Sequence, residues 1–398
     1  MCLSPVVINL SIDMLKEITI KNFKSIANDT IELGRVNVFI GENGCGKSNI
    51  LEAVGFASAG VENRVDNENL ISKGVRVAKP SLIISNFKGR KQAKQFNIEI
   101  LVKDKKNLDL NFTGRDKTFL FEEWEVEEID NNISTVEEPQ VEYEKPSKVK
   151  SAIENLRQRM KNPHRGNLMK YVIYSLNTPA LRGFTFESRK DPIGIYGEGL
   201  DILLASFDEE EMPKLKSYSY LIPWLEDFFI DAKDVLKFKG YKPNRSASAL
   251  YFVDKHMPKL DNVFSLENAN EGVLHILFYL AVTISHYTPK FFAIDNIESC
   301  LNPHLCRHLM EEICKLAKSQ DKQLLITTHN PAILDGLNLF DDEIRLFEVT
   351  RNDKGHTQTR RIQMKPEVQN EMGQKYKLSE LWTRGFLGAI STYPLHQA

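Results

Sequence analysis

The octapeptide Gly41-Glu42-Asn43-Gly44-Cys45-Gly46-Lys47-Ser48, with Asn49 behind it, constrains this chain more than any other stretch. It fits G-x-x-x-x-G-K-[ST], a loop whose backbone N–H groups turn inward to cradle a phosphate. Gly41, Gly44 and Gly46 permit backbone angles and close approach that a Cβ would forbid. Lys47 offers a positive charge to the β- and γ-phosphate oxygens of ATP, and Ser48 a hydroxyl to Mg²⁺. The flanks agree. Val36, Val38 and Ile40 alternate as a strand before the loop, and Ile50, Leu51 and Val54 open a helix after it. That helix would aim the positive end of its dipole at the phosphates.

Composition narrows the rest. The chain has 398 residues, enough for two or three domains, and a net charge of -2 from 52 basic and 54 acidic residues. That balance argues against a surface coated in basic charge but allows local patches. No apolar run is long enough to span a bilayer, and no charged leader with an apolar stretch reads as a signal peptide. The five cysteines show no C-x-x-C spacing, so a reduced, cytoplasmic protein is the economical expectation.

The chain divides by pattern. Residues 1–13 differ from the rest and read as an extra strand or a loose leader. Leu15 to Ile20 and Thr30 to Leu33 read as strands around a turn at 22–26, and Leu82 to Ser85 as another. Phe96, Ile98, Ile100 and Val102, a turn at 105–107, and Leu108, Leu110 and Phe112 make a hairpin signal. Glu122 to Glu144 is acidic; Lys148 to Lys170 is basic, with Arg157, Arg159, Lys161 and Arg165. The basic stretch reads first as a solvated helix face and second as a nucleic-acid contact. Apolar clusters between 200 and 238 predict helices. The expected organisation is an N-terminal lobe over 1–114, a largely helical insert over 115–245 and a C-terminal lobe over 246–398. The fold class is α/β, with a mixed, mostly parallel central sheet and antiparallel hairpins.

Two strand ends in the second lobe carry chemistry. Phe291-Phe292-Ala293-Ile294 is a buried parallel strand by composition, and Asp295 ends it. A carboxylate there, beside a phosphate loop, suits Mg²⁺ together with Ser48. Asn302 and Pro303 then begin a helix, with Leu305, Leu309, Ile313 and Leu316 on one face. The next buried strand, from Leu324, ends at His329, where an imidazole can reach a γ-phosphate or hold the attacking water. A hairpin over 346–350 and 357–362 follows.

This order resembles the ABC-type ATPases of the SMC, RecF and OLD kind, most closely over residues 14–56 and 269–335, with a familiar closing stretch at 378–385. The stand-alone ATPases of this build are similar to components of bacterial anti-phage systems such as Septu, PARIS and related abortive-infection pairs. The resemblance implies two heads sandwiching two ATPs, as a homodimer or higher homo-oligomer, and a separate nuclease or toxin as effector. It also implies that Ala269-Asn270-Glu271-Gly272 occupies the signature that closes the opposite subunit's site, with Asn270 where serine is usual and Gly272 opening the helix. The family's strand-end Asp-Glu pair is here Asp295-Asn296. Asparagine can orient water but cannot accept its proton, so slow hydrolysis is expected. Glu298 matches a further acidic position of RecF- and OLD-like members. A DNA-binding repair ATPase is the alternative, and a transporter subunit a more distant one, because the signature is degenerate and the insert is larger than a transporter head usually carries; no membrane partner is expected.

Overall fold

The computed structural model describes residues 14–89, 91–102, 108–114, 124–129, 163–184, 193–233, 235–239, 241, 248–259, 262–363 and 377–387. The leader at 1–13, the turn at 105–107, most of the acidic stretch, and Arg157, Arg159 and Lys161 lie outside the described residues. Arg165 lies inside them and pairs with Glu128, so it is a neutralised surface charge.

The described residues build three sheets. β1 (Leu15–Phe23) and β2 (Ile26–Glu32) pair antiparallel across Lys24-Ser25, where Lys24 takes φ 47°. β3 (Val36–Ile40) leads into α1 (Lys47–Glu62). β4 (Gln95–Val102), β5 (Leu108–Gly114) and β6 (Trp124–Glu128) extend the first pair into a five-stranded antiparallel sheet of order β2-β1-β4-β5-β6. The expected hairpin is there, with Ile98 opposite Leu110. β7 (Ile173–Tyr174) belongs to the second sheet, whereas β8 (Leu225–Ile230), β9 (Leu250–Asp254) and β10 (Val263–Ser265) form a small antiparallel third. The long helix α2 (Glu271–Ile284) precedes β11 (Phe291–Ile294); α3 (Pro303–Ser319) precedes β12 (Gln323–Thr328). β13 (Ile344–Arg351) and β14 (Thr357–Ile362) complete a six-stranded sheet of order β14-β13-β3-β12-β11-β7, parallel except for β14.

The two large sheets face each other across α1. Side chains alternate across a strand, so β3 sends Phe39 to one core and Val38 and Ile40 to the other. Phe39, Phe291, Leu325 and Phe347 join α1 and the antiparallel sheet, with Phe56 of α1 edge-on to Phe23, Phe96, Phe112 and Trp124 at centroid distances of 5.3–5.9 Å. On the opposite face Val38, Phe292 and Ile326 pack on α2 and α3. A helix enclosed by two sheets has no wet face, which is why α1 reads Ile-Leu-Glu-Ala-Val-Gly-Phe-Ala rather than amphipathic.

Some sequence expectations change. Between 200 and 230 the helices Leu200–Ala205 and Glu211–Lys216 form, but Leu225 to Ile230 is strand β8. Phe228 and Phe229 favour a pleated surface, and β9 supplies the pairing partner. The described part of 115–245 thus carries strands beside its helices. It also gives β7 to the six-stranded sheet, where Tyr174 joins the core. The strand expected at 82–85 is one helical turn, Pro80–Ile83, followed by a single bridge from Ile84 to Phe23. Pro80 at the first helical position favours that turn.

Candidate functional site

The site assembles at the carboxyl ends of β3, β11 and β12, where parallel α/β sheets place their ligands. Gly41 follows β3, Asp295 follows β11 and His329 follows β12. The register sets Thr328 beside Ile40, so β3 and β12 end level, and Ile294 beside Ile326, so the neighbouring β11 ends two residues short of them.

Glycine is required twice in the loop. A Cβ on Gly41 would sit 2.2 Å from the Val349 carbonyl oxygen. One on Gly46, at φ 110°, would sit 2.2 Å from Thr357 Oγ1. The β13–β14 hairpin therefore backs the loop at van der Waals contact. Glu42, Asn43 and Gly44 form the exposed tip, and Cys45 is buried, which pushes its thiol up. Gly46 caps α1 with no side-chain acceptor, so the first N–H groups of the helix stay open to a ligand.

Lys47 is 4% exposed. Its ammonium donates to the carbonyl oxygens of Gly41 at 2.8 Å and Glu42 at 2.9 Å, and stands 3.2 Å from His329 Nδ1. Burial lowers its pKa, against the attraction of Cys45, Asp295 and Glu298. His329 is also held below its ordinary value, first by burial and then by the Lys47 charge, against Glu298, the Gly41 carbonyl and Asp295. An ammonium only donates, so His329 Nδ1 accepts and its proton sits on Nε2. The ring is then a neutral donor at the strand end.

Ser48 Oγ lies 3.2 and 3.1 Å from the two oxygens of Asp295. Thr327 Oγ1 donates to Asp295 Oδ1 and accepts from Asn296 N at 2.9 Å. Two cis oxygens around an octahedral Mg²⁺ stand about 3 Å apart, so this hydroxyl–carboxylate pair has the spacing and hardness that ion takes.

Asn296 has φ +55°. Asparagine tolerates this left-handed conformation better than glutamate does, which gives the exchange at this position a local backbone reason. Glu298 accepts from the backbone N–H of His329 at 2.7 Å through Oε1, and its Oε2 is buried without a partner. Glu298 thus belongs to the His329 strand end. Asn270 and Gly272 make their contacts elsewhere. Asn270 Oδ1 caps α2 by accepting from Val273 N at 3.0 Å, and Gly272 faces the Cys300 carbonyl. Within one chain the structure brings together 41–49, Asp295, Asn296, Glu298 and His329, whereas the 270–272 segment packs on Cys300, at the far end of the turn after Asp295.

Sequence reasoning missed several supporting residues. Asn49 Nδ2 donates to Ser25 Oγ at 2.7 Å, and Ser25 Oγ and Thr357 Oγ1 are 2.7 Å apart. Thr357 Oγ1 donates to the Cys45 carbonyl at 2.7 Å, so Ser25 is the donor in the middle link. Arg76 and Lys24 both bind buried Glu52 of α1, and Arg76 Nη2 reaches Asn49 Oδ1 at 3.4 Å. No spacing rule links residues 25, 76 and 357.

This fold and loop define a P-loop ATPase head of ABC type. Residues 36–335 match the family of AAA domains described as putative AbiEii toxin, type IV TA system, and the chain belongs to that family. It is 36% identical over 77 residues to the DNA double-strand break repair Rad50 ATPase of Saccharolobus solfataricus, covering 19% of this chain and 9% of that protein. It is 33% identical over 99 residues to the DNA replication and repair protein RecF of Clostridium novyi, covering 24% of this chain and 27% of RecF. The chain thus spans less than a third of either relative. Among solved structures, an SMC head bound to the C-winged helix domain of ScpA superposes with a TM-score of 0.51 at 15% identity, over 88% of this chain and 98% of that one. That likeness is one of fold. Among the described residues no helix is long and apolar enough to cross a membrane.

Proposed function

We propose that this chain binds ATP with Mg²⁺, hydrolyses it slowly, and acts as a nucleotide-dependent switch that controls a separate nuclease or toxin in anti-phage defence. The observation that carries the reading is the convergence of Lys47, Ser48, Asp295 and His329 at three neighbouring strand ends. The description of the family as a toxin–antitoxin component supports the defence setting. Gly41 to Asn49 would cradle the phosphates, and Ser48 and Asp295 would hold Mg²⁺, which supplies charge neutralisation between the β- and γ-phosphates. Lys47 withdraws charge from the same oxygens. His329 donates from Nε2 toward the γ-phosphate or its attacking water. With Asn296 in place of a general base, turnover loses a factor of about 10²–10⁴. The contacts of Asn270 and Gly272 are with Val273 and Cys300 rather than with the phosphate loop, which suits a site closed by a second head. Asn270 keeps its amide N–H₂ for a phosphate oxygen, because only its Oδ1 is used in capping.

The Rad50 and RecF similarities support a second reading, a DNA-binding repair ATPase. Capture of the native complex in ATP and Mg²⁺ separates the two. Co-purification of a nuclease or toxin at fixed stoichiometry is expected. Retention of DNA with no protein partner would replace the first reading by the second. The enclosed-ATP arrangement is tested by crosslinking residue 270 to the phosphate loop. A chain that stays monomeric and uncrosslinked in saturating ATP would exclude it.

A further inference from the structure

α3 carries a second cluster that the ATPase does not use. His304 and His308 are one turn apart, and residues at i and i+4 share a helix face. Their Nε2 atoms converge to 3.3 Å on the exposed side of the first two turns. Lone pair to lone pair, that approach is repulsive; it is favourable when the two nitrogens share a proton or a cation. Two imidazole nitrogens bound at about 2.0–2.1 Å to one tetrahedral ion lie about 3.3–3.4 Å apart, which is the separation found.

The surroundings are those of a ligand rather than of a chance contact. His308 Nδ1 stands 3.5 Å from Glu311 Oε2, so a carboxylate flanks the far nitrogen and favours a proton there, which would leave the Nε2 lone pair for the shared point. Metal-bound histidines are oriented in this way by a carboxylate on the far nitrogen. Glu311 is itself fixed by Arg307 Nε at 3.0 Å, one turn back on the same helix. The helix is anchored beneath the pair: Asn302 caps it, and Cys306 and Leu309 are fully buried. The two rings therefore project from a rigid support.

We infer that His304 and His308 form a two-histidine site for a borderline divalent transition metal, of which Zn²⁺ is the type, on the exposed face of α3, with Glu311 as its positioning carboxylate. Among the described residues no group of three or more His, Cys, Asp and Glu side chains converges on a metal position, so water completes the coordination. Imidazole selects zinc, copper and nickel over Mg²⁺, which prefers oxygen. The site is thus chemically separate from the Ser48–Asp295 pair and does not compete for the same ion.

The test is calorimetric titration of the full chain with ZnCl2, with Mg²⁺ present. One site with a Kd on the order of micromolar is expected. His304→Ala and His308→Ala should each weaken it by ~30-fold or more, because one nitrogen cannot chelate. Glu311→Gln should weaken it by about 10-fold, as loss of an orienting carboxylate does. Cu²⁺ provides an independent readout: its electron paramagnetic resonance spectrum should show nitrogen couplings that vanish in the double His variant. The Lys47→Ala variant should bind Zn²⁺ as the wild type does. Binding no tighter than on the order of millimolar would overturn the inference, as would micromolar binding that survives intact in the double His variant.

Discussion

Thr357 Oγ1 donates to the Cys45 carbonyl at 2.7 Å, tying the second lobe's last hairpin to the phosphate loop across 312 positions of sequence. The link is directional. The proton order runs from Asn49 Nδ2 to Ser25 Oγ, to Thr357 Oγ1, to the loop carbonyl. Thr357 N also donates to the Ser25 carbonyl at 2.7 Å, so the turn between β1 and β2 is locked to β14 behind the loop. Replacing Thr357 by Val keeps the shape but takes the acceptor from the Ser25 O–H and the donor from the Cys45 carbonyl, at a cost of about 1–3 kcal/mol. Thr357→Val should unfold at lower denaturant concentration and bind ATP several-fold more weakly, whereas Thr357→Ser should match the wild type. Equal nucleotide affinity in all three proteins would mean that the chain of hydroxyls does not shape the loop.

Lys47 is the second test. Its ammonium is held by the Gly41 and Glu42 carbonyls inside the loop. Lys47→Ala removes the only loop cation, and one charge-assisted contact is worth roughly 2–3 kcal/mol, or about 30-fold to 150-fold in Kd. Calorimetry with ATP and Mg²⁺ reads it directly. Unchanged affinity would remove the loop from the binding site.

The sequence was most legible where chemistry and local pattern coincide. Gly41 to Ser48 sits between a period-two strand and an apolar helix, and both formed at their expected places. Asp295 and His329 end buried strands, and a parallel sheet brings such ends to one edge. Asn302 announced its own helix by an acceptor followed by Pro303, and its Oδ1 does cap Leu305 N. Leu225 to Ile230 was misread because Phe228 and Phe229 suit a helix face as well as a strand. β9, twenty residues later, decides between them. Ser25, Arg76 and Thr357 were invisible for a different reason. Their role is a contact between segments remote in sequence, and a single serine or threonine in a turn carries no spacing to detect. In the sequence Asn296 reads as a residue that orients water where a base is usual. Its φ of +55° adds a backbone preference that no residue pattern reveals.

The rate follows from that residue and its neighbour. Asn296→Glu restores a carboxylate beside Asp295 and should raise single-turnover hydrolysis by ~10²-fold or more. It also places glutamate in left-handed backbone, at a stability cost of about 1–2 kcal/mol that denaturant unfolding would register. Glu298→Gln keeps an oxygen for the His329 N–H, so it should change the rate little. Fast wild-type turnover abolished by Glu298→Gln would make Glu298 the base and end the slow-switch reading.

His275 gives α2 a pH dependence. It is 1% exposed, neither ring nitrogen has a hydrogen-bond partner, and its ring stands 6.0 Å from that of Tyr279. Burial pushes its pKa down to about 4 from 6.5, with Glu271, one turn earlier, pulling the other way. The folded value is therefore the lower one. As pH falls through 6.5 the unfolded chain takes up the proton first, so the stability present above 6.5 is lost progressively down to about 4. At about 1.4 kcal/mol for each pKa unit, the full loss is about 3 kcal/mol. His275→Leu removes the titration and suits the apolar site. Between about pH 7 and about pH 4.5 the wild type should lose ~2–3 kcal/mol more unfolding free energy than the variant. At neutral pH the leucine should stabilise the fold by about 1–2 kcal/mol, since a buried unpaired imidazole is gone. Parallel denaturant curves at the two pH values decide the matter: equal acid sensitivity in wild type and His275→Leu would show that the buried imidazole does not set it.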